Sequence, residues 1–171
     1  MSLQRKGTFA TIRQIISTFN SLRTFLSSGV VQHGTLAVDA TAEKFKTTTV
    51  TVWRRNAIQF SKAATTALTF TANHPVSASK FGIILVQIND AGTISTKIPG
   101  ATQTTAMAYN SAPLALAALP SPDAGNLAIG YIAIAAKAAL WTANTDDLTN
   151  GSDLTTATFV NATVSTLPSA L

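Results

Sequence analysis

The sequence contains no cysteine, and its 171 residues include a single glutamate and two histidines. The absence of cysteine excludes disulfides, thiolate nucleophiles and thiolate metal sites. Lysine, arginine, aspartate and glutamate make up only 11% of the residues, against roughly a quarter in typical soluble domains. Because dispersed charge keeps a monomer soluble, so little charge indicates that other copies or a larger assembly cover part of the surface.

Catalytic and metal sites need clustered titratable groups, and the sequence offers few. His33 and His74 lie on separate loops without a third ligand at a recognisable spacing, so we expect both to be solvated. Asp146, Asp147 and Asp153 lack the alternating ligands and the closing glutamate of an EF-hand, so a polar turn is expected there. The sequence therefore predicts a protein that is not an enzyme and has no cofactor and no metal site.

The positive charge is concentrated early in the chain. Nine of the 12 basic residues precede Ala63, together with two of the seven acidic residues. A basic first third suits docking onto an acidic surface of protein or nucleic acid. Within it, Trp53, Arg54 and Arg55 either stack on a base and hold phosphate or end a strand. In the second case Trp53 packs inward and the arginines face solvent or an acidic partner. A basic cluster without repeated aromatics favours the strand end.

The first predicted element is an amphipathic helix that ends near Gly29. Apolar residues at alternating spacings of three and four form a heptad stripe. The stripe consists of Ile12, Ile15, Phe19, Leu22 and Leu26. Phe9, Ile16 and Phe25 widen it. An isolated helix of this length is marginal in water and needs a partner surface. That surface is either the chain's own β-domain, a second copy or another protein.

From His33 the apolar residues recur at a period of two, which is typical of strands. Residues 46–54 are rich in β-branched side chains and predict one strand. Residues 83–88 are apolar on both faces, which indicates a central strand. The turn that follows ends at Gly92, a position that needs positive φ.

The second half of the chain predicts a long connector and two more strands. Residues 101–126 are rich in Ala, Thr and Pro, and 112–119 predict a short helical turn. Strands are expected at 127–134 and 155–164. Many short strands with turns between them predict a mainly β fold, a β-sandwich or a jelly-roll-like barrel.

We expect two parts in the chain. An N-terminal helical or extended arm for assembly covers residues 1–32, and an all-β domain covers 33–171. The longest apolar stretch, 127–141, is interrupted by Lys137 and is shorter than a membrane span. The sequence therefore predicts a soluble protein made in the cytosol, with no membrane contact.

Two sequence segments within residues 81–134 resemble those of a known family. They are Phe81-Gly-Ile-Ile-Leu-Val-Gln-Ile-Asn-Asp-Ala-Gly-Thr-Ile-Ser-Thr96 and Leu119-Pro-Ser-Pro-Asp-Ala-Gly-Asn-Leu-Ala-Ile-Gly-Tyr-Ile-Ala-Ile134. Their order, a buried strand, a turn, a connector and a second buried strand, resembles a small all-β module of structural proteins in tailed bacteriophages. The resemblance covers about residues 46–160 and includes no catalytic signature. It implies a virion protein.

Within the virion we favour a capsid decoration (cement) protein, located on the capsid surface after synthesis in the host cytoplasm. Its expected partners are the major capsid protein and itself, as a homotrimer rather than a dimer. The alternatives are a head-fibre or tail-fibre component and, in another class, a nucleic-acid-binding protein that uses the basic first third. The residues expected to make assembly contacts are Ile12, Ile15, Phe19, Leu22, Leu26, Arg54 and Arg55.

Overall fold

A computed structural model of the chain describes residues 13–18, 28–55, 58–149 and 151–162. Strands dominate, and they form three antiparallel sheets, which confirms the prediction of a mainly β chain. The sheets do not close into one barrel over the residues described, so the expectation of a jelly-roll-like barrel is wrong. The helices and strands follow one another as α1 (residues 13–18), β1 (Gly29–Gln32), β2 (Leu36–Val38), β3 (Phe45–Thr47), β4 (Thr51–Arg55), β5 (Ile58–Lys62), β6 (Thr65–Leu68), β7 (Phe81–Asn89), β8 (Ile94–Lys97), α2 (Ala112–Ala117), β9 (Asn126–Ala136) and β10 (Leu154–Asn161).

The largest sheet has the strand order β10-β9-β7-β8. Its two central strands are β7 and β9, which include the predicted runs 83–88 and 127–134. Both runs are central because uninterrupted apolar residues can be buried on both faces of a sheet. Gly92 has a φ of +77° and its N–H donates to the carbonyl of Asn89 at 3.0 Å, which confirms the predicted hairpin turn.

The two smaller sheets, β1-β4-β5 and β2-β3-β6, are built from the same three stretches of chain, and together they are called the bent layer. These stretches, residues 29–38, 45–55 and 58–68, each contribute one strand to each of the two sheets. Each stretch bends where it passes from one sheet to the other. The prediction of a single strand over 46–54 is therefore wrong, because β3 ends at Thr47 and β4 begins at Thr51. Strands commonly bend where they pass from one sheet to another. At this bend a Cβ on Gly34 would overlap the Thr51 hydroxyl, so the close approach requires glycine.

One hydrophobic core joins the bent layer to one face of the large sheet. The large sheet contributes Ile84, Val86 and Ile88 of β7 and Ile132 and Ile134 of β9, and the bent layer contributes Val30, Leu36, Phe45 and Trp53. Since side chains alternate along a strand, Ile83 and Leu85 point to the opposite face. That outer face packs against α2. Layers therefore cover both sides of β7.

The strand β1 belongs to the bent layer, although it precedes residue 33, where the predicted β-domain begins. β1 pairs with β4, with Val30 opposite Trp53. Val30 is 3% exposed and belongs to the core. The segment 29–32 is thus a strand of the β region, although the predicted division assigns it to the arm.

The helix α2 begins where the sequence predicts a helical turn. Ser111 caps it, since its hydroxyl accepts a hydrogen bond from the Leu114 N–H at 3.4 Å. Pro113 lies in the first turn, where a missing N–H costs nothing. The helix ends at Ala117, two residues before the predicted limit.

Candidate assembly surface

Helix α1 includes one residue of the predicted heptad stripe, Ile15. All six of its residues are exposed, and Ile15 and Ile16 are 49% and 54% exposed. About half of each of these two isoleucine side chains is therefore accessible within the described part of the chain. The other stripe residues, Ile12, Phe19, Leu22 and Leu26, lie outside the described residues.

Arg54 and Arg55 occupy different environments, although they are adjacent in β4. Arg54 is 1% exposed, so the expectation that both arginines face solvent or an acidic partner outside the chain is wrong for Arg54. It lies in the middle strand of its sheet, with β1 on one side and β5 on the other. Trp53 packs inward as expected, and its ring stacks on Phe60 with centroids 5.6 Å apart.

Arg55 connects the bent layer to the large sheet. Its guanidinium lies 3.2 Å from the carboxylate of Asp90 in the β7–β8 turn and donates to the carbonyl of Gly125. The side chain keeps 27% of its surface exposed. Arg55 therefore has an intramolecular acidic partner and is also accessible at the surface.

The segment Pro120 to Gly125, which precedes β9, is held on the large sheet by Asp123. Lys97 Nζ donates to one carboxylate oxygen of Asp123 at 2.7 Å, and Gln87 Nε2 donates to the other at 2.6 Å. The hydrogen bond from Lys97, followed by the one from Gln87, lowers the pKa of the Asp123 carboxyl from its ordinary value. The segment thus has a structural role in this chain.

His74 is fully buried, so the expectation of two solvated histidines is wrong for it. Its Nδ1 lies 3.1 Å from the carbonyl of Gln103, which can only accept, so Nδ1 carries the proton. Its Nε2 accepts from the hydroxyl of Thr96 at 2.8 Å. Burial lowers the pKa of His74, and the Gln103 carbonyl opposes that shift. Both nitrogens are satisfied in the neutral ring.

The acidic segment after β9 is held as a polar turn. Asp146 accepts from the Thr142 N–H at 2.6 Å, and Trp141 Nε1 donates to the Asp147 carbonyl at 3.1 Å. The segment lines a polar cavity of about 180 Å³. Among the described residues, no three His, Asp or Glu side chains lie close enough together to hold a metal ion.

The second exposed apolar surface is α2, which sequence reasoning treated only as part of a connector. Leu114 is 54% exposed and Leu116 is 46% exposed. One sequence signal points to this surface, because no charged residue lies between Lys97 and Asp123. Polar residues normally cover the solvent side of a surface helix, so the lack of charge over this stretch is the sequence signal for an exposed apolar helix.

No family model, curated protein or solved structure matches this chain. Within the described ranges, no helix has the length and apolar character needed to cross a membrane.

Proposed function

We propose that this chain is a non-enzymatic structural protein of a tailed-bacteriophage virion, which binds the assembled capsid and stabilises it as decoration proteins do. The observation that carries the proposal is the exposure of about half of each large apolar side chain on two helices, Ile15 and Ile16 on α1 and Leu114 and Leu116 on α2. In a chain with 11% charged residues, such surfaces indicate contacts with other copies or a larger assembly.

The partner class comes from the sequence resemblance. Residues 81–134 resemble a module of phage structural proteins, and a decoration protein of that class contacts the major capsid protein. We infer a β-sandwich for the domain, since the bent layer and the large sheet face each other across a shared core. Two packed layers give a rigid support for contacts with neighbouring capsomers.

We propose that the chain acts as a homotrimer. Three copies on one shell bind with an effective concentration that a single copy lacks, so weak contacts per copy add up to stable attachment. Shell stabilisation then follows from mass action, because the trimer binds the intact shell and not its separated subunits.

The contact with the shell is partly electrostatic in this proposal. The net charge is +5 and most basic residues precede Ala63, which suits an acidic capsid surface. Arg55 is the accessible member of the expected arginine pair. Arg54 is buried and therefore supports the fold of β4 rather than the contact.

The test compares the melting of purified shells with and without the protein, beside a sedimentation assay of binding. Arg55→Glu and Lys97→Glu form a matched pair, because each reverses one charge that faces an aspartate, Asp90 at 3.2 Å and Asp123 at 2.7 Å. Only Arg55 lies in the basic first third. We expect wild-type protein to raise the shell melting temperature and Arg55→Glu to weaken binding more than Lys97→Glu, with a smaller difference at high salt.

Three results contradict the proposal. If fully occupied shells melt at the same temperature as bare shells, the protein does not stabilise them. Binding confined to the portal vertex or the tail favours the head-fibre or tail-fibre alternative. Binding to DNA with a steep salt dependence, and none to shells, favours the nucleic-acid-binding alternative.

A further inference from the structure

The large sheet ends in two edge strands, β8 and β10, and the free side of β8 is covered. The Thr96 N–H donates to the Thr71 hydroxyl at 2.8 Å, and the Thr71 N–H donates to the Thr96 hydroxyl at 2.8 Å. The next outward N–H, that of Ile98, donates to Oε1 of Gln103 at 2.8 Å. The strand also carries a charge, Lys97, and charged side chains commonly protect a sheet edge from pairing.

The other edge strand, β10, has none of these protections within the described part of the chain. Its eight residues include no charged residue and no proline, and no charged residue follows Asp153 in the sequence. In the described ranges β10 pairs with β9 and with no other strand. A long uncharged edge strand offers its backbone to a further strand.

The register of β10 identifies the backbone groups on its free side. The Ala162 N–H donates to the Ile129 carbonyl at 2.9 Å, and hydrogen-bonded pairs alternate along an antiparallel ladder. Every second residue back from Ala162 therefore bonds to β9, whereas Ala157 and Phe159 direct their N–H and C=O groups away from it. These four groups are called the β10 edge. Within the described ranges, no hydrogen bond joins them to another part of the chain.

The ends of the β10 edge are set by the ladder and by β2. Toward the end of the strand, Oδ1 of Asn161 accepts from the Leu36 N–H of β2 at 2.8 Å, so the bent layer lies beside β10 there. Toward its start, the register is irregular between Leu154 and Thr156. The regular open part is therefore residues 156–160, roughly 17 Å of strand.

The spacing of these groups determines which kind of molecule fits. Ala157 and Phe159 each present one donor and one acceptor, about 7 Å apart along the strand. An extended polypeptide repeats its own donors and acceptors at that spacing, so the fitting ligand is a β-strand. The flanking side chains of Thr156 and Thr158 are exposed and uncharged, which favours uncharged, β-branched residues on the strand that pairs with them.

Pairing of β10 with itself does not fit the proposed trimer. Two copies that pair antiparallel through the same strand are related by a two-fold axis, and such a contact closes at a dimer. Contacts around a three-fold axis therefore leave the β10 edge free for a strand of a different protein.

We propose that the β10 edge binds an extended, uncharged segment of a shell subunit, which adds a fifth strand to the large sheet. Backbone hydrogen bonds then provide the attachment, and the alternate side chains of the added strand provide its selectivity. The inference rests on the proposed function, because the shell supplies the strand, and it names the part of this chain that the shell contacts.

The first test measures amide hydrogen exchange of the full chain, free and bound to purified shells, with the amides read by NMR after release from the shell. In the free chain, the amides of Ala157 and Phe159 should exchange at least about tenfold faster than those of Thr158 and Val160, which bond to β9. Binding to shells should remove this difference. Slow exchange of all four amides in the free chain would show that the β10 edge is already covered, and would overturn the proposal.

The second test measures binding of two variants to shells by sedimentation. Ala157→Pro removes an N–H that points away from β9, so the ladder keeps its hydrogen bonds, while an added strand loses a partner. Ala157→Ser is the matched control, because it keeps the N–H and changes the size little. We expect about tenfold or greater weakening with proline and less than about twofold with serine. Circular dichroism checks that both variants fold.

A second pair decides the question if the proline variant does not fold. Thr158→Lys places a charge on β10, where lysine hinders pairing with a further strand. Thr66→Lys is its control, because Thr66 is also an exposed threonine on an edge strand, β6, in the other layer. We expect Thr158→Lys to weaken shell binding by about tenfold and Thr66→Lys to leave it unchanged.

The outcomes separate this inference from the proposed function. Wild-type protein that does not bind shells overturns both. Shell binding that Ala157→Pro, or Thr158→Lys in its place, leaves unchanged overturns the β10 edge alone. Wild-type chains that associate in pairs, and that Ala157→Pro separates, would put a second copy on the edge and would overturn the assignment to a shell strand.

Discussion

Gln87 and Asp123 exchange two hydrogen bonds across the outer face of the large sheet. Gln87 Nε2 donates to the Asp123 carboxylate at 2.6 Å, and the Asp123 N–H donates to Gln87 Oε1 at 2.8 Å. Gln87 is 1% exposed in β7, so its amide needs both partners. The pair fixes the end of a long connector just before β9 begins, and it thereby helps to set where β9 joins the sheet.

Asp123→Ala should destabilise the fold by about 1–2 kcal/mol, because it leaves a buried donor of Gln87 with only the Ser95 hydroxyl at 3.2 Å. Lys97→Met is the control, since it removes the exposed ion pair with Asp123 and an exposed hydrogen bond to the Ser121 carbonyl at 3.1 Å but leaves the Gln87 amide paired, and it should cost less than about 1 kcal/mol. Urea unfolding measures the change in the free energy of unfolding for both variants, provided that the m-value stays the same. Equal effects would show that the buried amide of Gln87 does not depend on Asp123.

Local signals were sufficient for the centre of the large sheet. The apolar run of β7 and the turn at Gly92 depend on neighbouring residues, and so does the capped start of α2 at Ser111. The apolar run, the turn at Gly92 and a helical turn over 112–119 were predicted from the sequence, whereas the Ser111 cap was not. The charge-free α2 was predicted as a helix but not as an exposed surface, because exposure depends on how a helix packs against the sheet.

Features that depend on distant partners were missed. The bend between Thr47 and Thr51 has no local signal in a run of threonines and valines. It is set by pairing with two different sheets and by the close approach of Gly34. The burial of His74 depends on Thr96 and Gln103, which follow it by 22 and 29 residues. Single-sequence patterns do not contain such pairings.

Acid should destabilise the fold through His74. Its partners, Thr96 and Gln103, are uncharged, and burial lowers its folded pKa below the ordinary histidine value of 6.5. The unfolded chain therefore binds more protons below pH 6.5, and the free energy of unfolding falls as the pH drops from there toward the folded pKa. The slope contributed by one group is at most about 1.4 kcal/mol per pH unit.

His74→Asn tests this pH dependence. Asparagine retains a donor and an acceptor, tolerates the positive φ of +40° at this position, and does not titrate. We expect a flatter dependence of stability on pH between 6.5 and 5, measured as urea midpoints. His33→Asn removes the other imidazole as the control, and a flattening seen there instead would contradict the assignment to His74.

Two buried threonines should respond to valine in opposite directions. Thr47 and Thr51 are each 1% exposed. The Thr47 hydroxyl accepts from the Thr65 N–H at 3.0 Å, whereas the Thr51 hydroxyl makes no hydrogen bond in the described part of the chain. Thr47→Val should cost about 1–2 kcal/mol, and Thr51→Val should be neutral or stabilising by up to about 1 kcal/mol. Thermal melts distinguish the two, and a loss of stability with Thr51→Val would contradict the geometry at the bend.

Shortening the chain at two nearby points should separate folding from assembly. A chain that begins at Ser28 keeps β1 and should unfold cooperatively, but it should be monomeric because the N-terminal helix is gone. A chain that begins at His33 also loses Val30 from the core, which costs about 2 kcal/mol in addition to the backbone pairing with β4. Its melting temperature should be lower by on the order of 5–10 °C.

Non-cooperative melting of the longer chain would mean that residues before Ser28 complete the core. Equal melting temperatures would mean that β1 contributes little, and trimers of the longer chain would mean that assembly uses a surface other than the helix.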